Sequence, residues 1–361
     1  MKKIIEKYDE YCVLFVIAIL SIIKIWNTTF LPYDNLWNFG NIYKLSIGKE
    51  MYKDINAVAT PLFYKIGEYL YRLFSNNYIV YLIYGVILST IMYFLIYKII
   101  KKLQINKRIS LFFTILIIGI TINVVPYATN YVILSFTFFE IGVLLLLSNK
   151  NYNSLIQSLI VLLIFFTYQK LAVGYCITLI LSQLLYKQEK KESITNLVKT
   201  AIISIMMTCV CIIYIDHKGL LNYFIDLCIG GIPDFTANVK VDFIFANILI
   251  AFVGIAIMFI LVKRFKINKN NIVLLISSAI GSNIIVIPIV NEYHVRIGTI
   301  FWLIVIFYGI YSCLRDLVED NRIVKIISIT NIVFLIILFI KPIEHIDFDK
   351  AVIKKDGIFI R

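Results

Sequence analysis

An aspartate stands where the first long apolar run of the chain ends. Asp34 follows Pro32 and Tyr33, and apolar residues at helical spacing follow it in the segment 36–46. A low-dielectric wall raises the basicity of a neighbouring carboxylate, which suits a general base in group transfer. Aspartate is also a preferred helix N-cap. The sequence therefore predicts Asp34 as a catalytic base, with capping of the 36–46 helix as the structural alternative.

A second set of ionisable residues lies in the short segment 291–296. Glu292, His294 and Arg296 fall within six residues, in a chain with only three histidines. Arginine and histidine hold phosphate groups through charge-assisted hydrogen bonds. The alternative is that Arg296 snorkels toward the membrane surface and His294 is solvated. The first interpretation predicts a phosphate site at His294 and Arg296, with Glu292 nearest an acceptor.

Three further residues could contact a substrate at the same surface. Lys170 lies between two apolar runs, where it either contacts a phosphate or snorkels. Tyr52 and Asp54 share a segment with Asp34, which predicts acceptor contact or loop closure, with a solvated loop acid as the alternative. Glu140 stands inside an apolar run, where a carboxylate is unusual and is expected to face other helices.

The composition indicates that a membrane must position these residues. Of 361 residues, 60% are hydrophobic, 15% aromatic and 16% charged, with a mean hydropathy of +0.87. A soluble domain of this length could not bury so much apolar side chain, and apolar runs of about 18 residues or more are typical of membrane helices. The net charge of +13 is spread over short loops. That distribution favours contact with anionic lipid over nucleic-acid binding.

The apolar runs predict an all-α polytopic membrane protein with about eleven transmembrane helices. The predicted spans are 11–31, 78–99, 109–127, 130–148, 154–166, 170–187, 198–215, 243–263, 272–290, 297–314 and 323–340. The segment 154–187 reads either as two short spans or as one long helix. Two spans place all the lysine-rich loops on one side, which the positive-inside rule makes cytoplasmic. We therefore expect a cytoplasmic N-terminus in a cytoplasmic-membrane protein.

This topology predicts one membrane domain, 1–340, followed by a short extracytoplasmic tail, 341–361. The first outer loop is 32–77 and the second is 216–242. The first loop contains two segments of helical apolar spacing, 36–46 and 61–75, which predict helices lying in the membrane interface. Pro61 suits the first turn of the second helix. The candidate residues Asp34, Tyr52 and Asp54 would then all face outward.

Several kinds of site are not indicated by the sequence. There is no Walker A loop, no glycine-rich dinucleotide turn, no zinc-ligand pattern and no nucleophile elbow. Asp216 and His217 are adjacent, but two ligands do not make a metal site. The six cysteines fall mostly in apolar runs and read as small hydrophobic residues. No metal site is predicted, and dependence on a divalent metal stays open.

Three segments resemble the GT-C glycosyltransferases, specifically the protein-mannosyltransferase-like group. The first carries an acid followed by a Gly, a Tyr-x-Asp and a Pro, and here it runs Asp34, Trp37, Gly48, Tyr52, Lys53, Asp54, Pro61 and Tyr64. The second is Ala128, Thr129, Asn130 and Tyr131, where the group often has an acid. The third runs from Pro288 to His294 and resembles a Pro…Asp-x-x-His turn, with Asn291 replacing the acid beside Glu292.

The resemblance implies a membrane enzyme that uses a polyprenyl-phosphate-linked monosaccharide as donor. It implies Asp34 as the base and an outward-facing active site under the first loop. The resulting hypothesis is an inverting sugar transfer to an extracytoplasmic acceptor, namely a cell-envelope glycan, lipid or protein. Lys170, His294 and Arg296 would meet the donor phosphate. No nucleotide site is needed, because the donor is activated by its own phosphate and lies in the lipid.

Other functions remain open from the sequence. A transporter or flippase of lipid-linked glycans predicts inverted repeats and broken helices, and no repeat is visible. A glycan polymerase predicts a dominant late outer loop with several arginines, and 216–242 contains none. A non-catalytic membrane scaffold would tolerate Asp34→Asn, whereas an enzyme that uses this base would not.

Overall fold

The computed structural model describes residues 2–27, 33–57, 59–74, 77–121, 129–148, 152–186, 190–230, 244–264, 269–287 and 292–318, with 326 and 330. Asp34 and Glu292 lie in described backbone, but their side chains are outside the described part. Asn291, most of the predicted span 323–340 and the predicted tail 341–361 are outside it altogether. The same holds for the second half of the predicted outer loop 216–242.

The described chain is built from helices joined by short turns. The first seven are α1 (Lys2–Asn27), α2 (Tyr33–Ser46), α3 (Leu62–Leu73), α4 (Tyr78–Lys102), α5 (Lys107–Thr121), α6 (Tyr131–Ser148) and α7 (Ser154–Phe165). The others are α8 (Gln169–Tyr186), α9 (Lys190–His217), α10 (Leu221–Ile225), α11 (Ile244–Arg264), α12 (Lys269–Asn283), α13 (Glu292–Gly298) and α14 (Ile300–Val318). A π-helical turn, Asp226–Gly230, follows α10, and a 3₁₀ turn, Ile284–Val286, follows α12.

The fold is all-α, as predicted. Within the described ranges the only β pairing is one isolated bridge between Met51 and Ile55. Three described helices are long and apolar enough to cross a membrane, namely Tyr78–Lys102, Tyr131–Ser148 and Lys191–His217. Seven further apolar helical segments have 10–17 residues. The prediction of eleven spans is therefore not confirmed as a number, although helices occupy ten of the eleven predicted segments.

Two predictions about local structure hold. The segment 154–187 forms two helices, α7 and α8, separated by a turn at 166–168. The first predicted loop contains the two expected helices, α2 and α3. Pro61 occupies the N-cap of α3, one position before the first turn in which it was expected. The helical spacing of apolar residues was thus a reliable signal in these short segments.

One end of the bundle carries lysines. Glu10 of α1 accepts hydrogen bonds from Lys98 (2.9 Å) and Lys101 (2.6 Å) near the end of α4. The start of α4 meets the start of α6, where the Tyr81 hydroxyl donates to the Thr129 carbonyl at 2.8 Å. Because a helix of 25 residues is about 37 Å long, these two sets of contacts lie at opposite ends. We call the first the lysine end and the second the site end.

The closest helix crossing is between α8 and α12. A Cβ atom built on Gly174 would lie 2.1 Å from the Gly281 carbonyl oxygen, and one on Gly281 would lie 2.2 Å from that of Gly174. Thr178 Oγ1 donates across the crossing to the Ser277 carbonyl at 3.2 Å. Small residues let helix backbones approach in this way and are typical of helix pairs in membranes. The crossing sets the position of α8, in which Lys170 lies one helical turn before Gly174.

Candidate functional site

The helix α2 carries Asp34 in its first turn. The backbone helix begins at Tyr33, and the Asp34 side chain, which would show capping, is outside the described part. Asn38 and Asn41 follow one and two turns later, which puts all three positions on one helical face. Both asparagines are buried, with 0% and 3% of their surface exposed. Positions 34, 38 and 41 therefore share one face of α2, and the two asparagines on that face are buried.

Helix α3 fixes the orientation of this face. Gly67 lets α2 approach closely, because a Cβ atom there would lie 2.4 Å from Ile42 Cδ1. One turn earlier, the buried Tyr64 hydroxyl donates to Asn38 Oδ1 at 2.9 Å. The Tyr64 ring also makes an edge contact with Trp37, with centroids 6.2 Å apart. Tyr64 thus decides which way the Asn38 amide is turned.

The segment before α3 docks directly on the turn between α7 and α8. Thr60 Oγ1 donates to the Phe165 carbonyl at 2.7 Å. The Leu62 amide N–H donates to the Phe166 carbonyl, also at 2.7 Å. These carbonyls belong to the last turn of α7 and would otherwise lack partners. The first loop is therefore attached to the turn that precedes Lys170.

A chain of aromatic rings reinforces this attachment. Phe63 lies 6.4 Å from Tyr131 at the start of α6, and Tyr131 lies 5.3 Å from Tyr168 in the α7–α8 turn, measured between ring centroids. Phe63 also stacks on Tyr84 of α4 at 5.5 Å. Aromatic pairs of this kind are each worth about 0.5–1.5 kcal/mol beyond the area that they bury. They hold α2 and α3 over the bundle and beside α8.

The charge of Lys170 acts on His294 although 124 positions separate them in the sequence. His294 lies in α13, which packs against the end of α12 and the 3₁₀ turn. Burial, with the positive charge of Lys170 nearby, lowers the pKa of His294 to about 4. The imidazole is therefore neutral at pH 7. Among the described residues, Lys170 has no hydrogen-bond or ion-pair partner.

Arg296 contacts the end of α5, and its predicted role at a phosphate stays a prediction. Its Nη1 donates a hydrogen bond to the Ile120 carbonyl in the last turn of α5. A guanidinium at a helix C-terminus satisfies an otherwise unpaired carbonyl and interacts favourably with the helix dipole. At least one of its nitrogens is thus engaged with α5. Arg296 supports the position of α13, which carries His294.

Tyr52 and Asp54 lie in a compact turn rather than in an open surface. Tyr52 has φ +70°, unusual for a residue with a side chain, and its buried hydroxyl donates to the Ala59 carbonyl at 3.3 Å. Its ring packs on Phe224 of α10, 5.4 Å between centroids. Asp54 is exposed, and its Oδ2 accepts from the Glu50 amide at 2.9 Å. Of the two roles predicted for Asp54, this geometry shows loop closure.

The resemblance expected an acid at position 130, where the chain has an asparagine. Asn130 is buried, and its Oδ1 accepts from the Val132 amide at 2.9 Å at the start of α6. Such a contact caps a helix N-terminus, and asparagine is as good a cap as aspartate. The substitution therefore keeps the local structure of α6.

Sequence reasoning missed Asn38, Asn41 and Tyr64 as parts of this site. Within the described part of the chain, the buried Nδ2 atoms of Asn38 and Asn41 have no hydrogen-bond partner, and the same is true of both carboxylate oxygens of Glu140 in α6. The signal for the asparagines was present, since they follow Asp34 by four and seven residues. Within the described ranges, no group of three His, Cys, Asp or Glu side chains could hold a metal ion. No protein-family model, curated protein or solved structure matches this chain.

Proposed function

We propose that this protein is an integral-membrane glycosyltransferase that moves a monosaccharide from a polyprenyl-phosphate donor to an extracytoplasmic acceptor. The observation that carries the proposal is Lys170, a half-buried cation without an anionic partner among the described residues, beside His294. A half-buried charge is costly unless an opposite charge accompanies it. A phosphate group would supply that charge. The acid-bearing helix α2 is attached to the same turn.

An exposed apolar stripe leads away from Lys170 along α8. Val173, Ile180 and Leu184 are 56%, 46% and 48% exposed and follow Lys170 by 3, 10 and 14 residues. Residues at these intervals lie on one side of a helix. A cation at the head of such a stripe fits an amphiphile with a phosphate head and a long hydrocarbon chain. This is the chemistry of a polyprenyl phosphate lying in the membrane.

Lys170 and His294 would share the phosphate in different ways. The ammonium of Lys170 supplies charge, whereas the neutral imidazole of His294 supplies an N–H donor. Binding of a dianionic phosphate favours the protonated forms of both groups. As the phosphate group leaves the sugar and gains a second negative charge, the ammonium and the imidazole N–H both stabilise it.

In the proposed reaction, Asp34 acts on the acceptor, and Lys170 and His294 act on the donor phosphate. The acceptor hydroxyl oxygen attacks the anomeric carbon while the bond from that carbon to the phosphate oxygen breaks. The acceptor proton goes to the Asp34 carboxylate, and polyprenyl phosphate leaves with the bonding electrons, stabilised by Lys170 and His294. One direct displacement inverts the anomeric centre.

The proposal includes about eleven spans in the cytoplasmic membrane, with the N-terminus inside and a cell-envelope glycan or lipid as acceptor.

The first test is complementation of a deletion strain, read out as its envelope-glycan profile. Wild-type protein restores the missing glycan, and Asp34→Asn at matched expression does not, because loss of a general base costs about 10²–10⁴ in rate. Asp54→Asn serves as the control, since Asp54 closes a turn. Equal restoration by wild type and Asp34→Asn would overturn the enzymatic proposal in favour of a scaffold or a transporter.

A second assay separates transfer from transport. Purified protein in lipid nanodiscs is given a polyprenyl-phosphate sugar labelled in the sugar, together with an envelope-glycan extract as acceptor. Label that leaves the lipid and joins the glycan supports transfer. In sealed vesicles, movement of intact donor across the bilayer without any cleavage would support a flippase instead.

A further inference from the structure

We propose that Asn38 and Asn41 form the sugar-binding subsite, donating amide hydrogen bonds to the hydroxyl oxygens of the monosaccharide beside Asp34. This inference rests on the proposed function for the identity of the ligand. Its structural basis is separate from the phosphate site. It lies in α2, α3 and the start of α4.

The first observation is that two amide groups lack acceptors. Asn38 and Asn41 are 0% and 3% exposed, and neither Nδ2 has a hydrogen-bond partner among the described residues. Buried polar groups in folded proteins nearly always have partners, and leaving one unpaired costs free energy. Two such groups one turn apart on a single helix indicate a place prepared for acceptor oxygens.

The second observation is that the Asn38 amide is held in one orientation. The Tyr64 hydroxyl donates to Asn38 Oδ1 at 2.9 Å. With Oδ1 engaged in this bond, Nδ2 lies on the opposite side of the amide. An orientation set in advance lowers the entropy lost when a ligand binds. Tyr64 thus acts as the positioning residue for Asn38.

The third observation is the chemical character of the surroundings. The Trp37 ring is 41% exposed and contacts Tyr64 edge to face. Amide donors beside an aromatic ring match a ligand with several hydroxyl oxygens and a face of C–H groups, which is a monosaccharide. Asp34 lies one helical turn before Asn38. A sugar held by the two amides would have its reacting end toward that turn.

A small packing defect lies between the same three helices. It is lined by residues of α2, α3 and α4, namely Ile42, Gly67, Leu70, Tyr71, Val80, Tyr81 and Tyr84. The hydroxyl of Tyr84, on its border, also lacks a partner among the described residues. Neither Asn38 nor Asn41 lines this defect. Binding a sugar therefore requires α2 to move away from α3 and α4, and the loose packing makes that movement easier.

The test measures sugar binding without turnover. Trp37 serves as the fluorescent reporter in a Trp26→Phe, Trp302→Phe background, and the probes are free mannose, glucose, galactose and N-acetylglucosamine, titrated one at a time. We expect one of them to change Trp37 emission with saturation. Asn41→Leu should weaken that sugar at least tenfold, and Asn38→Leu with Tyr64→Phe should do the same. Asn222→Leu, an exposed asparagine in α10, is the control and should leave binding unchanged.

Thermal unfolding of the same variants distinguishes a subsite from a mere packing defect. Replacing an unpaired buried amide by an apolar group of similar shape is neutral or stabilising. We expect Asn41→Leu to keep or raise the melting temperature while losing the sugar. Unchanged sugar affinity in both folded variants, or no response to any probe, would overturn the subsite.

Comparison with turnover keeps this inference distinct from the proposed function. Asp34→Asn should abolish transfer and leave the Trp37 titration intact, whereas Asn41→Leu should raise KM for the donor and leave kcat within a few-fold. Sugar binding that depends on Asn41 in a protein without transferase activity would refute the proposed function and retain the subsite. Normal KM in a folded Asn41→Leu enzyme would refute the subsite alone.

Discussion

The α8–α12 crossing and the α2–α3 pair both depend on a glycine, but they treat their polar groups differently. At the crossing, Thr178 Oγ1 donates to carbonyls of both helices, and Ser277 and Ser278 donate within α12. In the α2–α3 pair, the amide nitrogens of Asn38 and Asn41 have no partners. The first arrangement stabilises the bundle. The second arrangement is less stable than a pair of helices whose buried amides all have partners. Such a loss of stability is typical of functional sites.

The largest effect is expected from breaking the crossing. In Gly174→Val, the added Cβ would meet the Gly281 carbonyl oxygen at 2.1 Å, and a backbone atom cannot move aside. We expect a loss of at least about 3 kcal/mol, the upper end of overpacking costs. Gly40→Ala in α2 is the control, because nothing lies within 4 Å of its Cβ position. It should be neutral or stabilising by about 0.5–1 kcal/mol. Unfolding in detergent measures both, and equal midpoints would contradict this description of the crossing.

The second-largest effect is expected on donor binding when the positive charge of Lys170 in α8 is removed. Lys170→Gln keeps a polar side chain, one atom shorter, but removes its charge, so donor binding loses a charge-assisted hydrogen bond. Such bonds are worth about 1.5–3 kcal/mol, which corresponds to a rise in donor KM of about 10–100-fold. Lys170→Arg, which retains the charge, should recover much of the affinity. A normal donor KM in Lys170→Gln would remove the phosphate site from the proposal.

A smaller effect, visible only in acid, tests the burial of His294. Its pKa is lowered to about 4 in the folded protein, below the ordinary value of 6.5, so the unfolded chain binds the proton more readily. The neutral imidazole therefore supports full stability above pH 6.5, and this stability is lost as the pH falls toward 4. The slope is at most about 1.4 kcal/mol per pH unit. Melting temperatures of wild type and His294→Gln should diverge across this window, and parallel curves would place His294 in solvent.

The smallest effect is expected in the turn beside the α2–α3 pair. Asp54→Ala removes the hydrogen bond from the Glu50 amide, which is worth about 0.5–1.5 kcal/mol. Lys53→Ala breaks only an exposed ion pair with Glu50 and should cost less than about 1 kcal/mol. Both variants should retain activity in the glycan assay. Loss of activity in a stable Asp54→Ala protein would indicate that Asp54 contacts the acceptor.

The helices of the site were predictable because their signals are local. The apolar spacing in 36–46 and 61–75 predicted α2 and α3. The two-helix form of 154–187 was favoured by the distribution of lysines over the loops. The role of Arg296 was not predictable. Its partner is the Ile120 carbonyl, 176 positions away, and nothing in the local sequence marks a backbone oxygen as available.

The sequence by itself determined an all-α chain rich in apolar helices and placed an acid at the start of α2. Composition and periodicity suffice for this, because helix formation depends on neighbours within a few residues. Only the tertiary structure decided that the charge of Lys170 acts on His294, and that Asn38 and Asn41 are buried with no acceptor for either Nδ2 among the described residues. These facts depend on how α8, α12 and α13 cross and on how closely α2 approaches α3. Close packing at a few glycines sets the distances between these helices. The pattern of side chains along a single helix does not predict those distances.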